Sequence, residues 1–129
     1  MTAADLRYLL AIDDVAPKGG AALTAVAQKM SLSKVSVYRA ATRLEKAGYL
    51  LRDERSRLLI TPAGAAALQE YRIAAGWLAC HLEHHCGVDH ATALQDAIGA
   101  VCAMSDAGRH GLWAFIHAHV QKEKEERSE

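Results

Sequence analysis

Eight basic side chains stand between residues 28 and 57 (Lys29, Lys34, Arg39, Arg43, Lys46, Arg52, Arg55 and Arg57), against three acidic ones. The block carries a formal +5 inside a chain of 129 residues whose total charge is zero. Positive charge concentrated in this way attracts phosphate locally without making the whole surface adhesive. Ser36, Arg39, Arg43 and Lys46 recur at spacings of 3, 4 and 3, so on a helix they share one face. The set Ser33, Lys34, Ser36, Tyr38, Arg39 and Arg43 offers hydroxyl and guanidinium donors to base edges, and Arg39 can fork onto a guanine. Arg52, Arg55 and Arg57 follow, suited to phosphates or to a minor groove. A merely solvated face is the competing explanation, which charge by itself does not exclude.

A second cluster has different chemistry. All seven histidines fall after residue 80, four of them in CHLEHHCGVDH. On a helix Cys80 and His84 are four apart, and His81 lies three and four residues from His84 and His85. Neighbours on one turn can share a soft divalent metal such as zinc, nickel or copper. Against this, His85 falls on an apolar seam and no CxxC pair or zinc-finger spacing is present. Histidines near a dimer seam would alternatively make association pH-sensitive. Cys80, Cys86 and Cys102 are odd in number and match no disulfide framework, so free thiols in a reducing cytoplasm are expected. A redox switch ranks below both. No Ser/His/Asp signature, glycine-rich phosphate loop, paired-carboxylate motif or HExxH appears, so an enzyme is not expected.

The elements that must position these groups follow from composition and period. With 51% hydrophobic, 23% charged and 5% aromatic residues, the chain can bury a core, and its alanines favour closely packed helices. No apolar run is long enough to span a membrane, and MTAADLRYLL has no cationic head before an apolar stretch, so no signal peptide is evident. A first helix is expected over 5–16, stopped by Pro17 and Gly19-Gly20. Leu23, Val26, Ala27 and Met30 predict a short second helix. Ser33 is typed as the N-cap of a third, with Val37, Ala40, Ala41 and Leu44 inward and Gly48 ending it. Tyr49–Leu51 and Leu58–Ile60 flank RDERSR, which reads as a hairpin with a basic tip. Thr61-Pro62 then starts a long helix with a seam of Leu68, Tyr71, Ala75, Leu78, Leu82 and His85. Asp89 caps the next, seamed by Leu94, Ile98 and Val101. Asp106 is read as capping a last helix carrying Leu112, Trp113, Phe115, Ile116 and Val120, whose charged end, residues 121–129, is expected to fray. The fold class is mainly α with a small β-hairpin: a winged helix-turn-helix over residues 1–62, followed by a helical dimerisation region over 63–129.

The segment LTAVAQKMSLSKVSVYRAATRLEKAGYLLRDERSRLLITPAG resembles the DNA-binding half of the diphtheria-toxin-repressor and manganese-transport-regulator family of metal-dependent repressors, and is also similar to MarR-type winged helices. Three features favour the repressor family: YLLAI at Tyr8–Ile12, a short lead-in, and the landmarks Gly87-Val88-Asp89 and Met104-Ser105-Asp106 after the wing. The resemblance implies a cytoplasmic, homodimeric transcriptional regulator, a repressor, that reads double-stranded DNA with two-fold related half-sites. It also implies a divalent metal, but the positions aligned with the family's ligands fall on Arg7, Leu10, Gly76, Ile98, Val101 and Cys102. One thiol cannot hold a hard ion that takes several oxygens, so the usual manganese or iron site is expected to be missing. Two alternatives stay open: a MarR-type regulator answering a small-molecule effector, and a winged-helix interaction module that does not bind DNA.

Overall fold

The computed structural model describes residues 1–128. Thr2 opens the first helix, α1 (Ala3–Val15), its side chain accepting the Asp5 backbone N–H at 3.1 Å. That satisfies one of the orphan donors of the first turn. α2 (Leu23–Met30) ends at Ser31 in the left-handed region (φ 54°), where the Leu32 N–H returns to the Ala27 carbonyl at 3.0 Å. Two residues later Ser33 caps α3 (Lys34–Lys46), accepting from the Ser36 N–H at 3.1 Å; caps of this kind contribute about 1 kcal/mol. α3 turns its predicted stripe Val37, Ala40, Ala41 and Leu44 into the core. Gly48, at φ 86°, ends it in a conformation that favours glycine.

β1 (Leu50–Arg52) and β2 (Leu58–Ile60) pair antiparallel with Leu50 opposite Ile60 and Arg52 opposite Leu58. Ala21 adds a bridge that sequence reading did not expect. It exchanges backbone hydrogen bonds of 2.9 and 2.8 Å with Leu58, fixing the loop before α2 to the hairpin. Small alanines after a Gly-Gly pair carry no strand signal. Leu6, Leu9, Ile12, Val26, Val37, Leu44, Leu50 and Leu58 are fully buried, the core that α1, α2, α3 and the hairpin share.

Thr61 caps α4 (Pro62–His85), accepting from Gly64 N–H at 3.0 Å while its hydroxyl donates to the Gly48 carbonyl at 2.6 Å. The chain divides into two compact units, Met1–Leu68 and the residues from Gln69 onward. In the second, α4 continues to His85, Gly87 adopts φ 69°, and Asp89 caps α5 (His90–Ala103) through the Thr92 N–H at 3.1 Å. α6 (Asp106–Ser128) follows; the expected cap, Asp106, is instead its first residue. Ser105 takes the capping role, its hydroxyl accepting from Gly108 N–H at 3.0 Å, which frees Asp106 to pair with Arg109. The helix is continuous through Ser128, and Glu129, the last residue of the charged end, lies outside the described residues.

Burial within the chain is uneven along the helical seams. Leu68, Tyr71 and Ala75 are buried, but Leu78 and Leu82 are half-buried and His85 is exposed. In α5 the inward stripe is Ala93, Ala97, Ile98 and Val101, with Leu94 exposed. In α6 Ile116 and Arg109 are buried while Phe115 and Val120 face solvent. Arg109 is the residue that sequence reading passed over. Its guanidinium lies 4.1 Å from the Tyr71 ring centroid, donates to Asp106 at 2.7 Å and approaches Glu70 at 3.6 Å, joining α6 to α4. The lone cation in an apolar helix segment was the available signal.

Glu83 joins α4 to α5 through His90, whose Nδ1 lies 3.0 Å from the carboxylate. That hydrogen bond, and then the carboxylate's charge, raise the His90 pKa above its ordinary value. A raised histidine contributes stability fully below about pH 6.5 and loses it as pH rises through the folded-state pKa. We expect the His90 ring resonance to titrate above the ordinary midpoint, and Glu83→Gln to return it there. Identical NMR titrations in the two proteins would refute the pairing.

Candidate nucleic-acid interface

Two helices joined by a tight left-handed turn and followed by a two-stranded antiparallel ribbon form a winged helix-turn-helix. α3 is the second helix of the pair, the one that such folds can lay in a major groove. Its solvent face carries Lys34, Val35, Tyr38, Arg39, Arg43 and Lys46, all exposed. Arg39 has no ion-pair or hydrogen-bond partner among the described residues, so its fork of donors is available. Lys34 and Lys46 are likewise uncommitted.

Other members of the predicted set are already engaged. Ser33 and Ser36 bond to each other (Oγ–Oγ 2.9 Å) as part of the helix cap. Arg43 is 56% exposed, yet its guanidinium donates to Asp5 of α1 at 3.1 Å. The largest departure is Arg52, expected to reach out to a nucleic acid and instead folded back on α3, with hydrogen bonds to Thr42 and the Tyr38 carbonyl. Arg55 and Arg57 are exposed at the tip. There the Asp53 carboxylate accepts the N–H groups of Arg55 (2.9 Å) and Arg57 (2.8 Å), with Ser56 at φ 59° completing the turn. Gly20 borders this turn: a Cβ there would stand 2.7 Å from Arg57 Cβ.

Exposed apolar groups at the same end, Leu32 and Val35, were not singled out from the sequence. The signal was present: neither lies on the Val37/Ala40/Ala41/Leu44 stripe.

The histidine cluster takes another form. His81 sits between Trp77 (ring centroids 4.3 Å) and His85 (5.1 Å, stacked), so both imidazoles are engaged along α4. Among the described residues no group of three or more histidine, cysteine, aspartate or glutamate side chains is arranged to hold a metal ion, Cys80, His81, His84 and His85 included. At the positions that the family resemblance assigns to metal, Arg7 and Gly76 are exposed, Ile98 and Val101 are buried core, and Leu10 supplies no donor. Cys102 is the one residue at those positions with a metal-binding side chain, and the carboxylate of Asp5, two residues before Arg7 in the sequence, faces Arg43. These residues do not fit manganese or iron.

The fold is shared by solved structures. The chain is similar to the hypothetical protein SSo2273 from Sulfolobus solfataricus, at 20% identity and TM-score 0.69 over 90% of this chain and 89% of that one. It is also similar to T. acidophilum IdeR (17% identity, TM-score 0.61, 84% of this chain and 51% of that one). A third likeness is to the manganese regulator SloR (17%, TM-score 0.64, 89% and 53%). The chain thus spans about half the length of the last two. No family profile and no curated protein sequence matches it. No helix among the described residues is long and apolar enough to cross a membrane.

Proposed function

We propose that this chain is a DNA-binding transcriptional regulator, a repressor that acts as a homodimer through the helices after its wing. The observation that carries the reading is the guanidinium of Arg39, exposed on α3 in the midst of the +5 block and engaged with no partner among the described residues. Fold likeness to a structure named as a manganese regulator supports it. In a dimer, two copies of α3 would enter successive major grooves about 34 Å apart. An effector would act by favouring one spacing of the two helices over another. Because the residues at the family's metal positions do not fit, the regulator is of the metal-dependent type with a degenerate primary site, and no step of its action is assigned to a metal.

The test is retardation of duplex DNA across a salt series, with and without chelator. Affinity should fall with a log–log slope of about −0.9 per phosphate neutralised. Arg55→Ala should weaken selected and random duplexes by the same factor and make the slope shallower by about 0.9. Failure to retard random duplex at low salt would remove the reading, and manganese-dependent binding would overturn the degenerate site.

A further inference from the structure

Of the three arginines in the wing, one does not face outward. Arg52 ends β1, opposite Leu58 and one residue before the tip turn. Its side chain is 24% exposed. The guanidinium lies 4.5 Å from the Tyr38 ring centroid, and Nη2 donates to Thr42 Oγ1 at 3.0 Å and to the Tyr38 carbonyl at 3.4 Å. Nε pairs with Glu45 at 3.4 Å. Thr42 Oγ1 in turn donates to the same Tyr38 carbonyl at 3.0 Å. One planar cation thus grips three residues on successive turns of α3: Tyr38, Thr42 and Glu45. A fork of fixed donors above an aromatic face is a task for arginine that lysine does not perform.

We infer that Arg52 is a positioning residue for the interface: it fastens the wing to α3 and holds the exposed Tyr38 ring in place, and it does not itself neutralise a phosphate. The inference rests on the proposed DNA-binding reading. An isolated two-stranded hairpin is marginal in water. This ribbon has three residues per strand, and its tip is ordered internally by Asp53. An ordered tip is useful to a groove-binding surface only if the ribbon below it is also fixed, because ordering the ribbon on binding would cost affinity. Leu50 and Leu58 are buried in the core and Ala21 bridges β2 at Leu58; Arg52 adds the side-chain attachment of β1 to α3 before any ligand arrives. With Arg52 engaged, the outward cations of the wing are Arg55 and Arg57.

Salt dependence separates positioning from contact. Arg52→Gln and Arg52→Lys, compared with the parent by circular dichroism and duplex retardation, should stay folded and bind roughly tenfold more weakly. Their slope against log salt should equal the parent's, since no phosphate contact is lost. In the free protein, amide exchange at Leu51, Arg52 and Leu58–Ile60 should speed up in Arg52→Gln while α1 keeps its protection. A slope shallower by about 0.9 in Arg52→Gln would mean that Arg52 meets a phosphate, and would overturn the inference. Full binding by Arg52→Lys, or faster exchange without weaker binding, would also overturn it. If the parent binds no duplex, the functional reading fails and this role falls with it. Parental binding matched by both variants sinks the positioning role alone.

Discussion

Replacing Arg39 by alanine is expected to reduce affinity for a preferred duplex by roughly 10- to 100-fold, while random duplex loses far less. The magnitude follows from chemistry: a bidentate arginine–guanine pair is worth about 1–3 kcal/mol of discrimination. Arg39 suits that role because it is exposed on α3 and, among the described residues, engages no other side chain. Arg43, one turn further along, already donates to Asp5. Folding should be untouched, since an exposed side chain with no partner usually changes stability by less than about 0.5 kcal/mol. Arg39→Lys separates fork from charge: if discrimination depends on two parallel donors, lysine restores random binding and leaves the preference weak. The measurement is the ratio of dissociation constants for a duplex selected by the parent and for random sequence, at one fixed salt concentration. An unchanged ratio in Arg39→Ala would show that sequence is read elsewhere.

Gly64→Ala should lower stability by about 2–4 kcal/mol and the melting temperature of its unit by roughly 10–30 °C. Gly64 stands in the first turn of α4, where an added Cβ would collide with the carbonyl oxygen of Tyr49 and come within 3.0 Å of Ile60 Cγ2. The carbonyl is backbone and cannot swing aside. It also accepts the Thr61 N–H at 3.0 Å, so displacing it breaks the hydrogen bond that closes the base of the hairpin. The substitution therefore strains the helix start and the wing together, and weaker duplex binding should accompany the lower melting temperature. Gly76→Ala, on the same helix with nothing within 4 Å of the added atom, is the control. It should hold or raise stability by up to about 1 kcal/mol, because alanine outranks glycine in a helix interior. Equal melting temperatures for Gly64→Ala and the parent would show that α4 can shift away from the hairpin at no cost.

The local elements were legible because their causes are local. Ser33, Thr61 and Asp89 act as caps where their residue type and the following apolar period required it. Gly48 ends α3, and the stripe Val37, Ala40, Ala41 and Leu44 is buried as its spacing demanded. Periodicity was less informative after residue 90. Alanines line both sides of α5, so Ala93 and Leu94 compete for the inward position, and the small residue that lets helices approach closely took it. Phe115 and Val120 likewise fit an apolar pattern yet remain exposed. Buried Arg109 runs against every composition rule. It is tolerated because Tyr71, Glu70 and Asp106 surround its charge.

Capping, period and charge are properties of neighbours along the chain, so the helices, the wing and the placement of the +5 block follow from residue order alone. Which of those cations remain available was decided only in three dimensions. Asp5, thirty-eight residues before Arg43, reaches it because α1 packs on α3. Arg52 turns inward because the hairpin brings it over Tyr38, Thr42 and Glu45. An arginine looks the same in sequence whether it is paired or solvated. The difference lies in the long-range partner that folding delivers, and among the described residues Arg39 receives none.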